Sequence, residues 1–241
     1  MKILLLFLSG LFWTTASFSQ GNKEDSLAGI QLKNVIGVYD HYTDGNAPVY
    51  NGSEYLYFTF KMKGDPFFEW DNLAKGWLSY EGKVYDPLSI LYDIARNQVV
   101  VLLPDSISRA VLQNEFIDSF KIANHTFINL KEDHQQNLYN TGFYDLLYRG
   151  HVQLLARRIK AMTEVIEDNA VVRVFSPKDN FYIHKEGRYY LVNNQKDVFR
   201  LFIDKKHEIR KMMRREHLKF RRKNFESVLL KVTAFYDQSI H

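Results

Sequence analysis

The sequence contains no cysteine. That absence removes disulfides, thiolate nucleophiles, Cys-based zinc sites and a lipid-modified cysteine anchor together. Proline and glycine are sparse, at 5 and 12 residues in 241, so the chain does not read as disordered or as a linker. No apolar run reaches the roughly 20 residues that a membrane-spanning helix needs. The G-x-S-x-G, H-E-x-x-H and glycine-rich phosphate-loop patterns are also missing. No cofactor or metal is expected, and the reading leans away from an enzyme.

Aromatic residues are abundant, with 18 Phe and 15 Tyr. Most lie in short runs of the kind that fits a pleated surface. At the N-terminus, Lys2 precedes an apolar run from Ile3 to Trp13, followed by small and polar residues, "TTASFSQ". This is the layout of a cleavable secretory signal over residues 1–19, with the cut between Ser19 and Gln20. The expectation is export to the periplasm or cell exterior, without a lipoprotein anchor. With no disulfide available, the mature chain relies on its core; a chain of this size buries roughly 70% of its unfolded surface. Residues 20–34 read as a flexible N-terminal segment, and 35–241 as a single α+β domain.

Extended texture begins at "VIGVYD" (35–40). "EYLYFTFKM" (54–62) alternates between two largely apolar faces, as a strand covered on both sides does. From residue 76 to 192, runs such as "GWLSYE", "QVVVLL", "HTFINL", "HVQLLARRIKAM" and "RYYLV" are joined by short connectors. Connectors of that length join antiparallel neighbours. The spacing predicts an antiparallel, strongly curved β-meander of about 10–12 strands over 35–192, curled or closed to protect its edges. The polar loop 131–141 is expected to divide the sheet, and "VIEDNA" (165–170) reads as a wide hairpin turn.

The period then changes. Asn194 is placed to cap a helix whose apolar positions are Val198, Leu201, Phe202, Ile209, Met212 and Met213. Asn224 is placed to cap a second, with Phe225, Val228, Leu229, Val232, Phe235 and Tyr236 on one stripe. A C-terminal helical hairpin over 194–237, packed on the sheet, follows from this order of elements.

Candidate catalytic groups are weak. The eight histidines are scattered. Glu132–His134 reads as a solvated turn. Glu69/Asp71 and Glu164/Glu167/Asp168 supply carboxylate pairs for a hydrolase, but neighbours in loops do not fix the separation of about 5–9.5 Å that two-carboxylate glycoside cleavage needs. Trp70 and Trp77 read as core-closing residues ahead of sugar-stacking ones.

The distinctive feature is "KKHEIRKMMRREHLKFRRK" (205–223). Residues 201–231 hold eleven Lys or Arg against four acids, a net charge of +7 in a chain whose total is +4. Like charges at i,i+4 each cost an isolated helix about 0.2–0.5 kcal/mol, so the other face must be buried. Lys206, Arg210, Lys211, Arg214, Arg215, Arg221 and Arg222 are the candidate residues for an anionic surface. The competing readings are a plain solvated face, an anionic membrane surface, and nucleic acid, which an exported protein seldom meets.

"VYNGSEY", "KGDPFFEWDNLAKGWLSYEGKVYDPLSILYDIARNQVVV", "GFYDLLYRG" and "KFRRKNFESVLLKVTAFYD" resemble a group of uncharacterised secreted proteins of Bacteroidetes-type bacteria. The resemblance spans about residues 48–237 and implies an exported protein of a Gram-negative envelope. It carries no functional residues with it. The function expected is a non-catalytic binding or interaction protein, with an envelope protein or the anionic membrane as partner. The alternative is a carrier of a lipid or other hydrophobic ligand held in a cavity between sheet and helices.

Overall fold

Short aromatic and β-branched runs between turn residues become fourteen strands among the residues described by this computed structural model, 47–69 and 72–240. These residues belong to one unit, Gly45–His241. The expected signal sequence, residues 20–34, "VIGVYD", Trp70 and Asp71 lie outside the described residues. The first eight strands are β1 (Ser53–Glu54), β2 (Met62–Lys63), β3 (Ala74–Tyr80), β4 (Lys83–Asp93), β5 (Gln98–Leu102), β6 (Arg109–Val111), β7 (Ile117–Ile122) and β8 (His125–Leu130). The rest are β9 (Gly142–Tyr148), β10 (Gln153–Arg157), β11 (Lys160–Glu167), β12 (Ala170–Pro177), β13 (Asn180–Lys185) and β14 (Arg188–Val192). Three helices close the chain: α1 (Gln195–Leu201), α2 (Lys206–Arg215) and α3 (Phe225–Ser239).

Eleven strands form one sheet in the order β1-β6-β5-β4-β3-β7-β8-β9-β10-β13-β14, with every ladder antiparallel. The α+β class and the antiparallel plan follow the sequence. The strong curvature or closure does not. β1 and β14 stay as free edges, with no ladder between them among the described residues. The edges are protected by length and cover instead: β1 is two residues long, and α1 packs beside β14.

Other expectations are corrected locally. "EYLYFTFKM" gives ladder only at its ends, because its rings pack sideways instead of alternating. Tyr55 meets Tyr57 and Phe67, while Arg96 lies 3.6 Å from the Phe58 ring centroid. The loop 131–141 does not divide the sheet, since β8 and β9 pair across it. The division falls at Arg158–Ile159, where the expected strand 151–162 splits. Its first half is β10; its second half leaves as β11, in a small sheet ordered β11-β12-β2. β11 and β12 join through a tight two-residue turn, Asp168–Asn169, both at positive φ as a type I′ turn requires.

Strand alternation decides where the core sits. On β9, Phe143 and Leu147 share a face with Asp145 between them, while Tyr144 and Leu146 point the other way. Phe143 belongs to an aromatic core in which Tyr92 meets Phe120, Phe127 and Phe143 edge-to-face at 5.2, 5.1 and 5.8 Å. Leu147 packs against a second core, formed by Leu154, Ile183 and the apolar stripes of the helices. α3 is pinned by polar contacts as well. Asp237 accepts from the Val152 N–H at 2.8 Å and the Tyr148 hydroxyl at 3.0 Å, and Tyr236 stacks on Phe202. Gly150 allows that approach, because a Cβ there would collide with the Asp237 carboxylate.

Candidate functional site

The expected first helix is broken into α1 and α2 by a 3-10 turn at Ile203–Lys205. Asn194 caps α1 as expected, its Oδ1 accepting from the N–H groups of Lys196 and Asp197. α2 ends in a Schellman motif. The Leu218 N–H bonds Met213 and the His217 N–H bonds Arg214, with His217 held at φ +54°. The chain therefore turns back, and Leu218 and Phe220 pack against the helical core. Asn224 departs from expectation: its Oδ1 accepts from the Arg221 N–H and does not cap α3.

The groove between α1, α2, the 218–225 connector and the β12–β13 turn has a volume of about 1200 Å³. Its floor is aromatic. Phe181 on β13 faces the helices by alternation with Tyr182; its ring lies 5.5 Å from that of Phe225, which lies 5.4 Å from that of Phe220. Phe199 of α1 supports the guanidinium of Arg210 at 5.1 Å from its ring centroid, within cation–π range. Around this floor stand Lys178, Lys196, Arg210, Arg221, Arg222 and Lys223, and the groove continues past Arg214 and Lys219. None of these eight cations forms an ion pair with a described residue.

Of the seven candidate cations read from the sequence, Arg210, Arg214, Arg221 and Arg222 come together here. Lys206, Lys211 and Arg215 do not line the groove. At about 100° per residue, Arg210 and Arg214 share one flank of α2, while Lys211 and Arg215 sit a further step round. Arg215 pairs instead with Glu216 at 3.5 Å.

Two acids line the groove, Asp179 and Glu226, and both are tied to one buried arginine. Arg158, 7% exposed, donates from Nη1 to Asp179 at 2.8 Å and to Glu226 at 2.7 Å, and from Nη2 to Glu226 at 2.9 Å. Its Nε and Nη2 also reach Asp145 Oδ2, at 3.0 and 2.7 Å. Burial opposes the Arg158 charge, but the Glu226 hydrogen bonds and the Asp145 and Glu226 charges outweigh it and hold its pKa above the usual arginine value.

The network continues inward. His125 Nδ1 lies 2.7 Å from Asp145 Oδ2, and its Nε2 lies 3.3 Å from Glu69. The bond to Asp145 raises the His125 pKa; burial works against this, and the Asp145 and Glu69 charges add to it. The side-chain hydrogen bond of His125 is to Asp145, with Glu69 on its other ring nitrogen. The His125–Asp145 pair thus joins the Arg158 ion network. No group of three or more His, Asp or Glu suited to a metal occurs among the described residues.

Of the other carboxylates singled out in the sequence, Glu164 pairs with Arg173 and Glu167 with Lys63, while Asp168 sits in the β11–β12 turn. His134 packs on Tyr139, and Trp77 is half-buried on β3. The space between sheet and helices is filled by side chains of the second core, from Leu154 and Ile183 to Val232 and Tyr236. Arg158, Asp145, His125, Phe181 and Phe199 went unremarked in the sequence. The signal for two of them was there: a charge inside an apolar strand run, as in "FYDLLY" and "LLARRI", marks a buried, paired group.

No family model, curated protein or solved structure matches the chain. No helix among the described residues is long and apolar enough to cross a membrane.

Proposed function

We propose that this chain is an exported, non-catalytic binding protein of the cell envelope, and that its groove takes a phosphate-bearing amphiphile of the membrane. One observation carries the reading: eight cations with no ion-pair partner among the described residues surround a floor of phenylalanine rings. Arginine forks match phosphate oxygens, and the rings offer apolar surface for the rest of the ligand. A basic helix whose apolar face is already buried has no wedge of its own for a membrane. Phe181, Phe220 and Phe225 supply that missing apolar surface beside the charge. The leader-like N-terminus and the resemblance to secreted envelope proteins support the location. Arg210, Arg214, Arg221 and Arg222 are assigned to the anionic group.

Co-sedimentation with phosphatidylglycerol-containing and purely phosphatidylcholine vesicles tests the reading. The wild-type protein is expected to favour the anionic vesicles, with binding that weakens as salt screens the charges. Arg210→Glu combined with Arg214→Glu is expected to abolish that preference. Equal binding by both proteins removes the proposal.

A further inference from the structure

We propose that Arg158 is a positioning residue for this groove, setting its sign by withdrawing both of its acids from the ligand. The proposal rests on anion binding by the groove, and it adds a residue that does not itself line it. Asp179 lies in the β12–β13 turn and Glu226 in the first turn of α3, so the two acids come from elements far apart in sequence. Arg158, just beyond β10, reaches both with Nη1 and holds both oxygens of Glu226. Its remaining donor capacity goes to Asp145, which is 1% exposed and anchors the guanidinium from the core side. A guanidinium needed only to satisfy Asp145 has no use for two further carboxylates at a solvent-open groove.

The electrostatic consequence is specific. Side chains of Asp179 and Glu226 are 27% and 38% exposed, so each is within reach of solvent and of a ligand. Freed from Arg158, they repel an incoming phosphate. They also compete with it, because Lys178 and Lys223 line the same groove and each offers an alternative partner. Paired to Arg158, they do neither, and the six cations around them remain available. The effect runs through charge, so removing the two acids makes Arg158 dispensable for binding.

The test is a cycle of variants titrated with phosphatidylglycerol vesicles at low salt, with folding checked by circular dichroism. Arg158→Met is expected to bind roughly ten-fold more weakly than wild type, the scale of one charge changed nearby at intermediate dielectric. Adding Asp179→Asn and Glu226→Gln to it is expected to restore wild-type affinity. The two acid substitutions alone are expected to leave binding equal or tighter. If Arg158→Met does not fold, the triple variant compared with wild type carries the test, with equal affinities expected. Wild-type affinity in Arg158→Met, or a triple variant that stays weak, overturns the proposal and leaves the anion reading standing. A wild-type protein that ignores the vesicles overturns the anion reading, and this proposal with it.

Discussion

His125 and His184 give the protein two opposing responses to pH. His125 is hydrogen-bonded to Asp145, faced by Glu69 and Arg158, and packed edge-on by Phe68; its folded pKa is raised. Folding therefore favours its cationic form. That contribution is full below the unfolded value of about 6.5 and is lost as pH rises through the folded value. His184 lies against Tyr189, and its pKa is lowered by burial, so its penalty appears as pH falls below about 6.5. Urea denaturation across this range is expected to show that His125→Asn removes a loss of stability on the alkaline side. It is expected also that His184→Asn removes a loss on the acid side. A His125→Asn protein with the wild-type alkaline slope would contradict the assignment. The partners of His125 and Arg158 were not legible in the sequence. Asp145 is 20 residues from His125 and Glu226 is 68 from Arg158, and only the folded ladders bring them together.

Elements were more legible than sites. The helical stripes are buried where the 3.6-residue period puts them: Val198, Phe202, Ile209, Met212 and Met213 in the first segment, Val228, Leu229, Val232 and Tyr236 in the last. Truncating Leu229 to Ala is expected to cost about 2–5 kcal/mol in chemical denaturation, because it empties a fully buried position in the core that docks α3. What the period did not reveal is where the helix breaks. The stop at Arg215 is set by His217 in the left-handed region, a conformation that costs an ordinary residue roughly 1–2 kcal/mol. His217→Gly is expected to raise stability by up to about 1 kcal/mol, since glycine removes that strain but adds freedom to the unfolded chain. A destabilised variant would show that the imidazole makes a contact worth more than the strain. The 54–62 stretch misled for a related reason: alternation sets which side chains share a face only if a ladder forms, and here ring packing replaced the ladder.

Over the whole chain, the charge asymmetry was legible in the sequence and its geometry was not. Counting located the excess of positive charge in residues 201–231. Folding divides it between a groove flank, with Arg210, Arg214, Arg221 and Arg222, and an outer flank with Lys211 and Arg215. It also adds Lys178, Lys196, Phe181 and Phe199 from elements that the count did not touch. The sheet stays open because its edges are short or covered, so closure was not needed to protect them.

The central claim is that the groove, and not the basic stretch as a whole, recognises the anion. Two charge-matched variants separate these possibilities: Arg210→Glu with Arg221→Glu inside the groove, and Lys211→Glu with Arg215→Glu outside it. Both lower the net charge equally, so long-range attraction to an anionic vesicle falls by a similar amount in each. The account expects vesicle affinity to collapse in the groove variant and to stay within a few-fold of wild type in the outer one. Equal weakening of the two would contradict it and reduce the basic stretch to a charged surface.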